Sequence, residues 1–149
     1  MPESETLKRA RKDRTEGKAP STQAGEFVRE EFHHIREGKH GARSAKQAIA
    51  IGLSKARRAG VRLPPPKKGR ASKDVRRHAE RDYEKGMHRQ GRPAARRSRA
   101  VVRALRRQGH SAASTIAISR QSRRSARKRT AAERSAAARK AARTRSDET

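Results

Sequence analysis

Ser44-Ala-Lys-Gln-Ala-Ile-Ala-Ile-Gly-Leu-Ser-Lys-Ala-Arg-Arg-Ala-Gly60 is the stretch that decides how this chain folds. Ser44 and Gln47 stand in capping-box spacing, so the hydroxyl and the amide side chain satisfy backbone donors at a helix start. Ile49, Leu53 and Ala56 then recur on one helical face, with Ile51 off to one side. Gly60 sits where a left-handed residue closes a helix, and Val61 is placed to fold back as in a Schellman cap. Pro64-Pro65-Pro66 forbids continuation. The spacing predicts a helix over 45–59. Upstream, Pro20-Ser21 opens another, with Ser21 free to cap the first turn. Val28, Phe32 and Ile35 follow at i, i+4 and i+7, and Gly38 closes it, predicting a helix over 21–37. Joined by residues 37–43, the two form an antiparallel helical hairpin, and residues 20–66 read as a small helical module.

The composition of the whole chain rules out a conventional single-core domain of this length and leaves at most a small folded piece inside a largely solvated polymer. Of 149 residues only 30% are hydrophobic, and 26 of those are alanine. Leu, Ile, Val and Phe together number 16, about 11% of the chain, which is well below the roughly 20% under which a highly charged chain is expected to stay unfolded. With no cysteine, the chain has no disulfide, thiol nucleophile or thiolate metal site. No apolar run is long enough to span a membrane, and residues 1–18 alternate charges without the apolar segment of a secretory signal. The expected compartment is the cytoplasm, at the nucleoid.

Charge is segregated along the chain. Residues 1–66 carry 15 basic against 8 acidic side chains, net +7, and residues 67–149 carry 27 against 7, net +20. Between Arg89 and Ser146 stand 17 Arg and 2 Lys with a single acid, Glu133. Helix signals persist there. Ser72–Lys85 reads as a helix ended by Gly86, Pro93 suits a first helical position before a stop at Gly109, Ser111 starts another helix, and Thr130–Glu133 forms a second capping box. Apolar faces are thin, so propensity acts without burial. The expected architecture is mainly α without a sheet. It comprises a charged segment at 1–19, the 20–66 module, and a basic Ala/Arg-rich arm at 67–149 that is partly helical or disordered.

A long arginine-rich arm points to polyanions, because guanidinium forks match phosphate oxygens and their charge releases condensed counterions. The expected function is nucleic-acid binding without sequence reading, DNA more than RNA, in a nucleoid-associated or accessory role. The residues expected to carry it are Arg96, Arg97, Arg99, Arg103, Arg106, Arg107, Arg123, Arg124, Arg127, Lys128 and Arg129. Lys46, Lys55, Arg57 and Arg58 on the second helix are placed to contact phosphates too, but a solvent-facing helix side must be polar in any case, and that plainer reading is preferred. Sequence-specific reading lacks its means, since Phe27, Phe32 and Tyr83 are the only aromatics and cannot build a stacking platform. Two other readings stand beside this one: a protein-interaction or self-associating module whose arm only speeds encounter, and an RNA- or ribosome-associated protein.

Gly38-Lys39-His40-Gly41 is a G-x-x-G loop between helices. A KH domain would need a sheet that this sequence does not offer, but the loop's free amides and Lys39 remain a possible phosphate contact. His33, His34 and His40, near Glu30 and Glu37, match no ligand spacing and read as exposed, so neither a metal nor any cofactor is expected. Nor is an enzyme, because no pocket lining and no nucleophile–base pair stand out.

The run Arg36-Glu-Gly-Lys-His-Gly-Ala-Arg-Ser44, continuing through Lys46-Gln-Ala-Ile-Ala-Ile-Gly-Leu-Ser54 and Ala56-Arg-Arg-Ala-Gly60 to Leu63-Pro-Pro-Pro-Lys-Lys-Gly69, resembles a family of short basic bacterial proteins defined only by a domain of unknown function. Pro20-Ser-Thr-Gln-Ala-Gly-Glu-Phe-Val-Arg29 fits the same resemblance, which covers about residues 1–70 and implies no activity or site residue. The arm is similar in composition to the tails of histone-H1-like bacterial proteins, with Arg where those favour Lys.

Overall fold

The computed structural model describes residues 2–88 and 95–147, and these fall into two compact units, residues 1–114 and 115–149. The first holds α1 (Ser4–Thr15), α2 (Pro20–Arg36), α3 (Ala45–Arg58), α4 (Lys73–Met87), α5 (Ala95–Arg106) and a 3-10 turn at Ser111–Ala113. The second holds α6 (Thr115–Arg127) and α7 (Ala131–Asp147). Among the described residues there is no strand, only an isolated bridge between Lys68 and Ala71.

Three helices of the first unit end alike. Gly17, Gly38 and Gly60 each take a positive φ, of 73°, 74° and 93°. The amide after each glycine returns to a carbonyl five residues back: Lys18 to Asp13, Lys39 to His34, and Val61 to Ala56. These are Schellman closures, with the glycine amides bonding Arg14, Ile35 and Arg57 as the second bond of the motif. At the start of α3 the Ser44 hydroxyl accepts from the Gln47 amide at 3.2 Å. The Gln47 side chain in turn accepts from the Arg43 amide at 2.7 Å, one residue before the expected partner.

Several expectations are corrected. The segment expected to be merely charged contains α1, which packs on α2 by burying Thr6, Ala10 and Asp13. The cap of α2 is Ala19 without a side-chain bond, and Pro20 occupies the first turn, so Ser21 is exposed rather than capping. The face that α3 buries is Ala45, Ala48, Gly52 and Ala56, whereas Ile49 and Leu53 are only half buried. Close approach explains the shift, because a Cβ on Gly52 would lie 2.6 Å from Val28 Cα. Gly86 does not stop α4 but lies inside it, where a Cβ would stand 1.8 Å from the Arg57 carbonyl oxygen. Small residues thus bring α3 against α2 on one side and α4 on the other.

Residues 67–114, expected to belong to the arm, form part of the first unit. Ser72 caps α4 by accepting from the Val75 amide. Ala79 and Asp82 are buried toward α3, where Asp82 accepts from Ser54 Oγ at 2.6 Å and from Arg58 Nε at 2.7 Å. The last turn of α5 and the residues after it lie against the loop between α2 and α3. The amides of Gly41 and Ala42 donate to the Leu105 and Gly109 carbonyls at 2.9 and 3.0 Å, and Arg36 Nε donates to the Ala113 carbonyl. Pro93 lies outside the described residues. Where a partly helical or disordered arm was expected, helices occupy most of the described residues beyond the prolines.

One core cluster packs Phe27 with Ala10, Ala24, Ala56 and Val61, flanked by Leu7, Leu53 and Leu63, while Phe32, Ile35 and Ala48 are buried outside it. Arg57 is buried over this edge, its Nε donating to the Leu63 carbonyl at 3.1 Å, which holds the chain entering Pro64-Pro65-Pro66. Burial pushes the Arg57 guanidinium pKa down, a change that the Asp82 charge opposes.

Candidate nucleic-acid interface

Basic side chains divide by what they face. Several of those in the N-terminal helices and their connecting loops meet carboxylates. Arg9 pairs with Glu26 at 2.5 Å, Lys18 with Asp13 and Glu16 at 3.2 and 3.0 Å, Lys39 with Glu3 and Glu37 at 3.0 and 3.1 Å, Arg58 with Asp82, and Lys55 with the fully buried Glu31. Internal pairing removes much of the α3 surface from the list of phosphate candidates. Of Lys46, Lys55, Arg57 and Arg58, only Lys46 is exposed without a carboxylate partner.

The arm residues differ. Arg96, Arg97, Arg99, Arg103, Arg106, Arg107, Arg123, Arg124, Arg127, Lys128 and Arg129 are all exposed, and none makes an ion pair among the described residues. On α5, Arg96, Arg99, Arg103 and Arg106 recur at i, i+3, i+7 and i+10, which at about 100° per residue is one stripe roughly 80° wide. Val101, Val102 and Leu105 lie on the other side, and the two valines are exposed. In the second unit Arg120, Arg123, Arg124 and Arg127 form a comparable stripe on α6. On α7 the basic residues Arg134, Arg139, Lys140, Arg143 and Arg145 are distributed around the helix. That helix begins with the expected capping box, Glu133 amide to Thr130 Oγ1 at 3.2 Å and Thr130 amide to Glu133 Oε2 at 2.9 Å.

The Gly38–Gly41 loop is not an open cradle. The amides of Gly38, Lys39 and Gly41 already donate to the Ile35, His34 and Leu105 carbonyls, and the Lys39 ammonium lies between Glu3 and Glu37. Hydrogen bonds from Lys39 to those carboxylates, Glu3 first, push its pKa up. The same contacts depress Glu3, to about 2, with the bond from His34 as the largest cause. The reading of free amides there is therefore withdrawn. The expectation of exposed histidines fares unevenly: His33 is exposed, but His34 is buried and His40 nearly so, and both face Glu31, a residue that sequence reading passed over.

Residues 5–68 match the family described as Family of unknown function (DUF6496). The matched span takes in nearly all of α1, then α2, α3 and the triple proline, and stops before α4. It contains Glu31, His34 and His40 and none of the arm cations. No curated protein and no solved structure matches the chain. No helix among the described residues is long and apolar enough to cross a membrane.

Proposed function

We propose that this protein binds nucleic acid without reading its sequence, duplex DNA in preference to RNA, in a nucleoid-associated or accessory role. The observation that carries this reading is the contrast in pairing. Within α1–α4 carboxylates pair with Lys8, Arg9, Lys12, Lys55 and Arg58, while the eleven arm cations stand exposed and none of them makes an ion pair among the described residues. Unpaired guanidinium groups in stripes along α5 and α6 match a run of phosphates, and each contact gains mainly by releasing counterions. Aromatics offer no stacking platform, since Phe27 and Phe32 are buried and Tyr83 alone is partly exposed.

The test is a salt titration of full-length protein on duplex DNA and on structured RNA. Affinity in the roughly 10⁻⁴ to 10⁻⁶ M range or tighter, falling steeply with salt, is expected. Replacing Arg96, Arg99, Arg103 and Arg106 with Gln should flatten the log–log slope by about 0.9 for each lost duplex phosphate contact. An unchanged slope would defeat the reading, and a preference for RNA would move it from the nucleoid to transcripts or ribosomes.

A further inference from the structure

Glu31 is a fully buried carboxylate in a small, alanine-rich unit, and its two oxygens have different surroundings. Oε1 meets the Lys55 ammonium of α3. Oε2 is buried with no hydrogen-bond donor, although His40 Nε2 lies 3.2 Å away. The other nitrogen of His40, Nδ1, sits 3.0 Å from the Gly41 carbonyl oxygen. A carbonyl only accepts, so Nδ1 carries a hydrogen; in the neutral ring with that tautomer, Nε2 presents a lone pair toward an oxygen that also has only lone pairs. Two such atoms 3.2 Å apart inside a protein are reconciled by a shared cation, either a proton on Nε2 or a metal ion bound by both. A third donor is at hand, because one atom each of Glu31, His34 and His40 lies within 4.8 Å of the other two. His34 Nε2 is in turn 2.9 Å from Glu3 Oε1, which orients that ring.

We infer that Glu31, His34 and His40 form a zinc site. Two imidazoles and one carboxylate without thiolate are a donor set that Zn²⁺ accepts. With bonds of about 2.0–2.1 Å, neighbouring ligand atoms of a tetrahedral ion stand about 3.3 Å apart, and the Glu31–His40 separation already has that value. The near-perpendicular rings of His34 and His40, 85° apart with centroids at 6.0 Å, leave room for an ion between their edges. Charge agrees as well. Around the cluster, Glu3, Glu30, Glu31 and Glu37 outnumber Lys39 and Lys55 by two, in a chain whose net charge is +27. The hydrogen bond from His40 Nδ1 to Gly41 is the usual outer-shell device that fixes a metal-binding tautomer. The ion would tie the loop after α2 back onto α2, adding a fixed point where the apolar core is thin.

The experiment is a titration of untagged, metal-stripped full-length protein with Co²⁺, followed in the visible, and then with Zn²⁺ in competition against a chromophoric chelator. One equivalent of Co²⁺ should bind with absorption bands typical of low coordination number, and Zn²⁺ should abolish them. His34→Gln and His40→Gln, each checked for helicity by circular dichroism, should weaken binding at least about 100-fold. His33→Ala, at the exposed neighbouring position, should leave it unchanged. No visible bands at stoichiometric protein would overturn the proposal and favour a doubly protonated His40 bridging Glu31 and Gly41. Binding that falls as much in His33→Ala as in His40→Gln would overturn it too, as surface histidine chelation. Should either glutamine variant lose helicity, Gly38–Gly41 proton shifts in the wild-type chain on adding Zn²⁺ decide between the site and the surface.

Discussion

Lys55 of α3 reaches across to Glu31 of α2 and supplies the charge that lets a carboxylate sit at zero exposure between two helices. The pair links the helices at a point where alanine and glycine, not large apolar side chains, make the contact. Removing only the ammonium leaves a buried charge uncompensated, and that penalty exceeds the worth of the pair itself. Lys55→Met should therefore cost about 3–5 kcal/mol in urea unfolding. Adding Glu31→Gln to the same chain should recover part of the loss. A double mutant less stable than Lys55→Met alone would show that the pair is not coupled in this way.

Gly86 is a second point of contact, where backbone meets backbone. A Cβ there would sit 1.8 Å from the Arg57 carbonyl, a distance that no rotamer change relieves. Gly86→Ala should improve the local helix propensity of α4 and still destabilise the protein, by about 1–3 kcal/mol or more. The chemical shifts of Arg57 and Asp82 should move with it. An increase in stability would mean that α4 does not pack on α3 through this glycine.

The proposed phosphate contacts of α6 and the ion pairs that hold the first unit should respond to different substitutions. Arg123→Gln with Arg124→Gln and Arg127→Gln should reduce the salt slope on duplex DNA by up to about 2.7 while leaving the unfolding midpoint of the first unit unchanged. Arg58→Gln should do the reverse, because it breaks the bond to Asp82 at 2.7 Å and touches no proposed phosphate contact. Equal effects of the two sets on the slope would mean that overall charge, not the arm, controls affinity.

Glu16 gives a pH-dependent signal away from the histidine cluster. A hydrogen bond from the Lys18 ammonium is the chief cause that holds its carboxyl below the usual range. A depressed carboxylate pKa adds stability that is present above the unfolded-state value and lost as pH falls through the folded one. The group is exposed, so the effect on stability is small, but it is visible by NMR titration. Lys18→Gln should return the Glu16 midpoint upward toward the ordinary carboxylate range, and an unmoved midpoint would remove Lys18 as the cause.

Helix ends were the most legible part of the sequence, because Gly38 and Gly60 close helices by a requirement that few other residues meet. Buried faces were less so. α1 escaped notice since its contacts to α2 are made by Thr6, Ala10 and Asp13, which carry little apolar signal at helical spacing. Gly86 was misread because glycine marks helix ends and close approaches alike, and only the position of Arg57 in space distinguishes them. Glu31, between Glu30 and Phe32, looks like a solvent-facing acid until Lys55 and His40, 24 and 9 positions further on, are brought to it. The arm cations were legible as charge, whereas their grouping into stripes became readable only once α5 and α6 had definite starts.

The bonds from Gly41 to Leu105 and from Ala42 to Gly109 join chain positions made at different times. At about 5–20 residues per second, roughly 65 residues of synthesis separate donor from acceptor, or about 3–13 s. Throughout that interval the loop's amides have no carbonyl from the later segment to meet. The first unit therefore reaches its final form only when most of the basic chain has been made, so those arginines are present in the nascent chain before the fold that carries some of them is complete.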